Sequence, residues 1–264
     1  MQRQGNCING EVVAARAGEW LDNINPATQQ VVSQIARSRA EDVDAAVAAA
    51  RAAAKGPWSQ TSAIERADML DRIADGIEAR LDELAHLESE DTGKPVGLAR
   101  SVDIPRAVAN FRFFAGAVRH DHTGCHSMDG AINYTVRKSA GVCALITPWN
   151  LPLYLLTWKA APALAMGNTI VAKPSEMTPR TASALAEIVH EAGLPPGVFN
   201  LIHGLGPECG GPLTGHPDVD LVSFTGGTST GRLVAAAAAP QFKKLSLELG
   251  GKNATIVFAD CDLE

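Results

Sequence analysis

The sequence predicts an α/β fold: a parallel sheet with helices on both faces, preceded by a helical layer and interrupted by a protruding β hairpin. Three observations carry that prediction. From Gly141 onward, short apolar runs of strand length alternate with helix-length segments. Between Glu41 and Ala117 apolar residues recur at spacings of three and four, without strand-like alternation. Between Asp121 and Lys138 the pattern changes to the alternating Ile132, Tyr134 and Val136, after an Asp129-Gly130 turn.

Residues 6 to 35 read as short strands joined by turns, with Asn9-Gly10 suited to a tight hairpin and Asn25-Pro26-Ala27-Thr28 to a turn before Val31 to Ile35. An edge hairpin is expected there. Glu41 to Lys55 reads as a helix stopped by Gly56-Pro57, and a second follows with Ile64, Leu70, Ile73 and Ile77, continuing through Leu81, Leu84 and Leu87 to Glu90 before Gly93-Lys94-Pro95. A third runs from about Val96 through Ala117, and its Phe111, Phe113 and Phe114 read as core packing rather than a cofactor stack. The hairpin has little local helix to cover it, so a third strand is expected from elsewhere in the chain or from another subunit.

The remainder reads as strand Val142 to Thr147, helix Leu153 to Met166, strand Thr169 to Ala172, helix Pro179 to Ala192 and strand Phe199 to His203. It continues through a helical segment Pro207 to Leu213, strand Leu221 to Phe224, helix Gly231 to Ala239 ended by Pro240, and strand Leu245 to Glu248. In such a sheet ligands bind at the carboxyl ends of the strands.

The chain has 264 residues, enough for one large or two modest domains. Its net charge of −6 contains no block of like charge, which argues against a nucleic-acid surface or a polybasic membrane patch. The N-terminus lacks the apolar core of a signal peptide, and the most apolar window, Val142 to Trp158, is broken by Thr147, Pro148, Asn150 and Pro152, so no membrane span is expected. The five cysteines are scattered, with no C-x-x-C pair and no histidine spaced to share a metal, so the expectation is a reducing, cytoplasmic compartment and no metal site. The seven histidines form no set.

Four stretches could carry chemistry. Thr225-Gly226-Gly227 turns the chain between a strand and a helix, aiming free backbone N–H groups where a phosphate could sit. Glu248, at a strand end before Gly250-Gly251, is placed like a catalytic acid on a rigid support. Asn150, in Thr147-Pro148-Trp149-Asn150, is a candidate oxyanion donor, although by spacing alone an asparagine that satisfies a turn is the simpler reading. Lys173-Pro174-Ser175-Glu176 places a cation and an acid on one loop; the carboxylate suits a pair of ribose hydroxyls and repels a 2′-phosphate, whereas a solvated pair beside a proline fits equally well. A further glycine run, Gly204, Gly206 and Gly210, mimics a dinucleotide fingerprint but ranks lower, because Pro207 makes it a plain helix entry.

With Pro148-Trp149-Asn150, Lys173 to Glu176, Phe224-Thr225-Gly226 and Glu248-Leu249-Gly250-Gly251-Lys252 in this order, the chain resembles the NAD(P)-dependent aldehyde dehydrogenase superfamily over nearly all its length. Asn25-Pro26-Ala27-Thr28 is also family-like. Within the family, Ile104-Pro105-Arg106, Asn110 to Ala115, Tyr134 to Arg137 and Pro148 to Lys159 look most like the muconic semialdehyde dehydrogenases. The resemblance implies a Rossmann-like sheet, with 1–120 and 139–264 forming an incomplete cofactor-binding domain and 121–138 a bridging or oligomerisation hairpin.

It implies NAD, preferred over NADP, as cofactor, an aldehyde such as a semialdehyde as substrate, and a homo-oligomer. Asn150 would be the oxyanion amide and Glu248 the general base, with Lys173 and Glu176 on the adenosine ribose and the Gly226 turn against the pyrophosphate. Ile146, Thr147, Pro148, Trp149, Ser175, Phe224, Thr225, Gly227, Thr228, Leu249 and Gly250 would complete the cofactor site. In that family a cysteine attacks the aldehyde, the thiohemiacetal gives hydride to NAD, and the glutamate activates water to release the acid.

Two departures follow. Gly227 stands where the family often has serine, which leaves backbone N–H groups and Thr228 to meet phosphate. The family's nucleophilic cysteine lies beyond the sixteen residues that follow Glu248, and Cys261 in Phe258-Ala259-Asp260-Cys261 reads as incidental. The catalytic domain is therefore expected to be absent and the 264-residue chain alone inactive. The alternative is a non-catalytic nucleotide-binding or oligomerisation module derived from the same family.

Overall fold

The computed structural model describes residues 2–262; Met1, Leu263 and Glu264, at the ends of the expected cofactor-binding domain, lie outside the described residues. The opening forms strands β1 (Gln2–Gln4), β2 (Asn6–Ile8), β3 (Glu11–Val13), β4 (Trp20–Ile24) and β5 (Val31–Ala36). Asn9 and Gly10 turn β2 into β3 with φ of 54° and 81°, the left-handed pair that a two-residue hairpin requires. This hairpin extends the main sheet, since Cys7 pairs with Leu201, while β1, β5 and β4 form a separate three-stranded sheet. Pairing of the Gln2–Gln4 segment is a feature absent from the sequence reading, because a three-residue polar strand has no periodicity to detect.

Helices α1 (Ala40–Lys55), α2 (Ala63–Ala79) and α3 (Leu81–Thr92) follow. The Ser62-x-x-Glu65 capping box starts α2: Glu65 N–H donates to Ser62 Oγ at 3.2 Å and Ser62 N–H to Glu65 Oε2 at 2.7 Å. The single helix expected through Glu90 breaks at Arg80, which leaves helical conformation (φ −103°, ψ 20°) while its guanidinium bridges Glu83 and Glu187. Ile64 is exposed, not core; α2 buries Ala67, Leu70, Ile73, Ala74 and Ile77.

The helix expected from Val96 is interrupted too. A short α4 (Val96–Leu98) leads into a π-helical turn, Ala99–Asp103, and then α5 (Ile104–Arg119). Pro105 has no N–H to give the Ser101 carbonyl, so the regular ladder cannot pass through it. Phe111 is buried as expected, whereas Phe113 lies on the outer face, edge-to-face with Phe114 at 5.0 Å.

Strands β6 (Cys125–Met128) and β7 (Ala131–Tyr134) form a two-stranded hairpin turned at Gly130, shorter than the Ile132 to Val136 alternation implies and exposed throughout. No third strand pairs with it among the described residues.

From β8 (Val142–Ile146) the alternation is regular: α6 (Pro152–Ala165), β9 (Thr169–Lys173), α7 (Arg180–Glu191), β10 (Phe199–Leu201), α8 (Gly211–Gly215), β11 (Leu221–Thr225), α9 (Thr228–Ala238) and β12 (Lys244–Glu248). The sheet order is β12-β11-β8-β9-β10-β2-β3, parallel from β12 to β10. Successive side chains alternate between two cores. Cys143, Leu145, Ile170 and Ala172 join α2, α3, α5, α6 and α7, while Val142, Ala144, Val171 and Val222 join α1, α8 and α9. Chain order runs outward from β8 to β10, then returns to β8's other side as β11, so the sheet reverses between β8 and β11. The run Ala254 to Phe258, rich in strand-forming residues, forms no strand and is exposed.

Candidate active site

Four of the sequence's candidate stretches emerge at one edge of the sheet. Their strands are parallel neighbours, so the carboxyl ends of β12, β11, β8 and β9 lie side by side, with Ile146 opposite both Phe224 and Lys173, and Thr225 opposite Glu248. The reversal between β8 and β11 opens a crevice at this edge, because the connections leave toward opposite faces.

On the β11 side, Gly226 N–H donates to the Glu248 carbonyl at 3.1 Å. A Cβ at Gly226 would meet the Phe224 ring at 2.4 Å, so glycine is required there by close packing. Gly227 is the N-cap of α9 and offers no side-chain cap, leaving the first N–H groups of an eleven-residue helix without an intrahelical acceptor. Thr228, Leu249 and Gly250 are exposed around this end, and a Cβ at Gly231 would strike Leu249 at 2.4 Å, so α9 sits tight against the strand that delivers Glu248.

On the β8 side, Ile146 and Pro148 are half-buried, Thr147 is buried, and Trp149 and Asn150 are exposed. Thr147 Oγ1 and Thr225 Oγ1, on the strands flanking the reversal, are buried without a hydrogen-bond partner. Such groups are rare unless a ligand or ordered water completes them.

On the β9 side, Lys173 is buried and its Nζ donates to Glu176 Oε2 at 3.2 Å and to the Pro174 carbonyl at 3.0 Å. Ser175 Oγ accepts from Met177 N–H at 3.3 Å, which shapes the turn between them. The glycine run ranked lower borders this corner: Gly204 (φ 143°) packs on Ser38, Pro207 enters a π-helical turn as expected of a helix entry, and Gly210 packs beside the Lys173 side chain. His203, behind Lys173, is pushed down to about 3 by burial and by the lysine's charge, so it stays neutral.

A model of the aldehyde dehydrogenase family matches residues 12–264. The chain belongs to the aldehyde dehydrogenase family. It is 52% identical over 263 residues to the 2-hydroxymuconic semialdehyde dehydrogenase of Pseudomonas sp. (strain CF600), covering 97% of this chain and 54% of that protein. It is 52% identical to the 2-aminomuconic semialdehyde dehydrogenase of Danio rerio, covering 98% and 53%. The structure superposes on an aldehyde dehydrogenase from Bacillus cereus in complex with NAD+ with a TM-score of 0.94 at 41% identity, covering 99% of this chain and 54% of that one. The chain thus spans about half the length of the curated relatives it matches.

Within this aldehyde dehydrogenase family chain, sequence reasoning missed Lys159. It lies inside α6, buried among apolar neighbours, and Nζ donates to Ser223 Oγ at 2.8 Å. Burial pushes its ammonium down to about 8, against the pull of the Glu248 carboxylate. Lys159, Ser223, Ser246 and Glu248 border a cleft of about 340 Å³ beneath β11 and β12, with Phe114 and Trp158 as its apolar wall. A lysine at an apolar helix position was the available signal. Cys7, Cys143 and Cys209 are buried with thiols raised by desolvation, the latter two to about 12 and about 11, which makes them poor nucleophiles. Cys125 and Cys261 are exposed. Among the described residues no cluster could hold a metal ion and no helix is long and apolar enough to cross a membrane.

Proposed function

We propose that this chain forms the cofactor-binding portion of an NAD-dependent aldehyde dehydrogenase that oxidises a semialdehyde to the carboxylic acid, with 1–120 and 139–264 building that portion. The observation that carries the reading is the convergence of four strand ends, bearing Asn150, Glu176, Gly226 and Glu248, on one crevice. The names of the muconic semialdehyde dehydrogenases and the NAD+ bound by the Bacillus cereus relative support it.

The residues fit the cofactor. The uncapped N-terminus of α9, with Gly227 and Thr228, would hold the pyrophosphate, and Lys173, Ser175 and Glu176 would hold the adenosine ribose. The unpartnered hydroxyls of Thr147 and Thr225, with Ile146, Pro148, Trp149, Phe224, Leu249 and Gly250, would line the rest. When bound, NAD supplies the hydride acceptor. Glu176 favours NAD over NADP, because its carboxylate would face a 2′-phosphate.

Asn150 donates its carboxamide N–H to the oxygen that gains charge when a thiolate adds to the aldehyde, a contribution of roughly 2.7 to 4 kcal/mol by analogy with other oxyanion donors. Glu248 takes a proton from the water that releases the acid. In this reading none of the five cysteines is the attacking one: burial holds the Cys7, Cys143 and Cys209 thiols protonated, and the exposed Cys261 is put to the test below. The β6–β7 hairpin joins copies of the chain into a homo-oligomer by gaining a third strand.

Calorimetric titration with NAD and then NADP tests the reading. Binding of NAD with preference over NADP is expected, together with no NADH formation from aldehydes by the 264-residue chain. Turnover that survives Cys261→Ala would overturn the assignment of the nucleophile, and absence of any heat with NAD would overturn the cofactor role.

A further inference from the structure

Beneath the Asn150 turn lies an ion cluster that the reaction scheme does not use. Lys94 Nζ donates to Asp103 Oδ2 at 2.5 Å and to the backbone carbonyl of Asn150 at 3.2 Å, with Glu88 Oε1 at 3.8 Å. The three partners come from separate pieces of chain: Glu88 from α3, Asp103 from the end of the π-helical turn, and Asn150 from the loop after β8. The side chains are 13% exposed at Lys94, 4% at Asp103 and 0% at Glu88, so the cluster is shielded from bulk water.

The cation has little freedom to leave. Gly93 closes α3 in the left-handed region (φ 76°), Ser89 Oγ donates to the Lys94 carbonyl at 2.7 Å, and Lys94 N–H donates to Thr92 Oγ1 at 3.3 Å. On the far side of the turn, Asn110 Nδ2 donates to the Tyr154 carbonyl at 3.2 Å and to Thr157 Oγ1 at 3.0 Å, fixing α6 against α5. The Glu88 carboxylate faces the Leu153 N–H in the first turn of α6. The loop that carries Asn150 is therefore held both at its own carbonyl and where it becomes helix.

A buried ion cluster is a weak source of stability. Taking these charges out of water is costly, and apolar side chains of similar volume commonly serve a core as well or better. A π-helical turn, which is rare and frequent at functional sites, is what delivers Asp103 to the lysine. What the cation holds is the Asn150 carbonyl, whose carbon is bonded to the Cα that bears the carboxamide.

We propose that Lys94, clamped by Asp103 and Glu88, is a positioning residue that aims the exposed Asn150 carboxamide across the strand-end crevice by anchoring its carbonyl. The proposal rests on the reading of Asn150 as oxyanion donor for its purpose, but not for its test.

The test is a nuclear magnetic resonance measurement on the 264-residue chain labelled with 15N-asparagine, with Asn150 assigned by its loss in Asn150→Gln. Lys94→Met is expected to move the Asn150 backbone and carboxamide signals and draw the carboxamide pair toward the position of a freely rotating exposed asparagine. Lys94→Arg, which restores a cation able to reach Asp103 and the carbonyl, is expected to return them. The signal of Asn200, which is held by the Ile170 and Gly197 carbonyls away from the cluster, is expected to stay put in every variant. Asn150 signals unmoved in Lys94→Met, or moved equally in Lys94→Arg, would overturn the proposal. If Lys94→Met fails to fold because it strands buried carboxylates, the charge-free triple variant Lys94→Met, Asp103→Leu and Glu88→Gln gives the same reading. Turnover unaffected by Asn150→Ala in a catalytically active protein carrying this chain would remove the oxyanion role while leaving the Lys94 result to stand or fall alone.

Discussion

The Gly226 N–H donates to the Glu248 carbonyl at 3.1 Å, so the turn assigned to phosphate and the strand end assigned to the general base are one mechanical unit. A methyl group at Gly226 would enter the Phe224 ring at 2.4 Å, forcing the turn outward. Gly226→Ala is expected to lower stability by about 1–3 kcal/mol through overpacking and to weaken NAD binding in parallel. Thermal melting and calorimetry check it; an unchanged NAD affinity in a folded variant would separate the turn from the cofactor.

Glu176 is expected to discriminate between the two dinucleotides. Glu176→Gln removes a charged acceptor, whose hydrogen bonds are worth about 1.5–3 kcal/mol, so NAD affinity falls on the order of tenfold to a hundredfold while NADP loses less. Parallel losses for both cofactors, measured by titration of the same preparations, would contradict the role.

Lys159 makes stability rise with pH. Its folded-state pKa, about 8, lies below the ordinary 10.5, so between those values the unfolded chain binds more protons. The burial penalty is complete below pH 8 and fades as pH climbs toward 10.5. Lys159→Met is expected to be more stable than the parent at pH 7 by roughly 1–3 kcal/mol, the two converging above pH 10. Denaturant midpoints that keep a constant gap from pH 7 to 10.5 would show that the ammonium carries no penalty.

Glu88 acts with the opposite sign. Burial lifts its carboxyl from 4.5 to about 7 despite the Lys94 charge, so between those values the folded chain binds more protons. Its contribution is most favourable below pH 4.5 and is lost as pH rises through 7. Relative to Glu88→Gln, the parent is expected to lose up to about 1.4 kcal/mol per pH unit across that window. Urea melts of both proteins at matched pH measure the difference, and parallel curves would refute it.

The β6–β7 hairpin exposes Met128, Ile132, Tyr134 and Val136 with no covering element among the described residues. Ile132→Lys with Tyr134→Lys is expected to shift the chain to monomer in light scattering, leaving its melting temperature nearly unchanged. An oligomer that persists in this variant would move the interface elsewhere.

Much of this molecule is legible from residue order alone. The helical spacing of Val43 and Val47 or Leu70, Ile73 and Ile77, the Asn9-Gly10 turn and the glycines after Phe224 are local patterns, set by backbone preference and side-chain periodicity. The four strand-end stretches were readable for the same reason: each is a short apolar run followed by a turn. The helix interruption at Arg80 was not, because it depends on Glu187 packed opposite; Pro105 signals the break before Ile104, but only packing brings Asp103 onto Lys94 there. Ile64 and Phe113 carry apolar side chains at helical spacing yet face outward, since periodicity names a face and only a neighbour buries it.

What the sequence determined by itself is the list of elements and the chemistry waiting at their ends. The tertiary structure decided which ends meet. Only the strand order, reversing between β8 and β11, puts Asn150, Glu176, Gly226 and Glu248 on one crevice, and only three-dimensional packing sinks Lys159 beside Ser223 and sets Lys94 under Asn150. Strand pairing and ion burial join residues far apart along the chain, and the free energy of such contacts is a property of both partners, not of the local sequence of either.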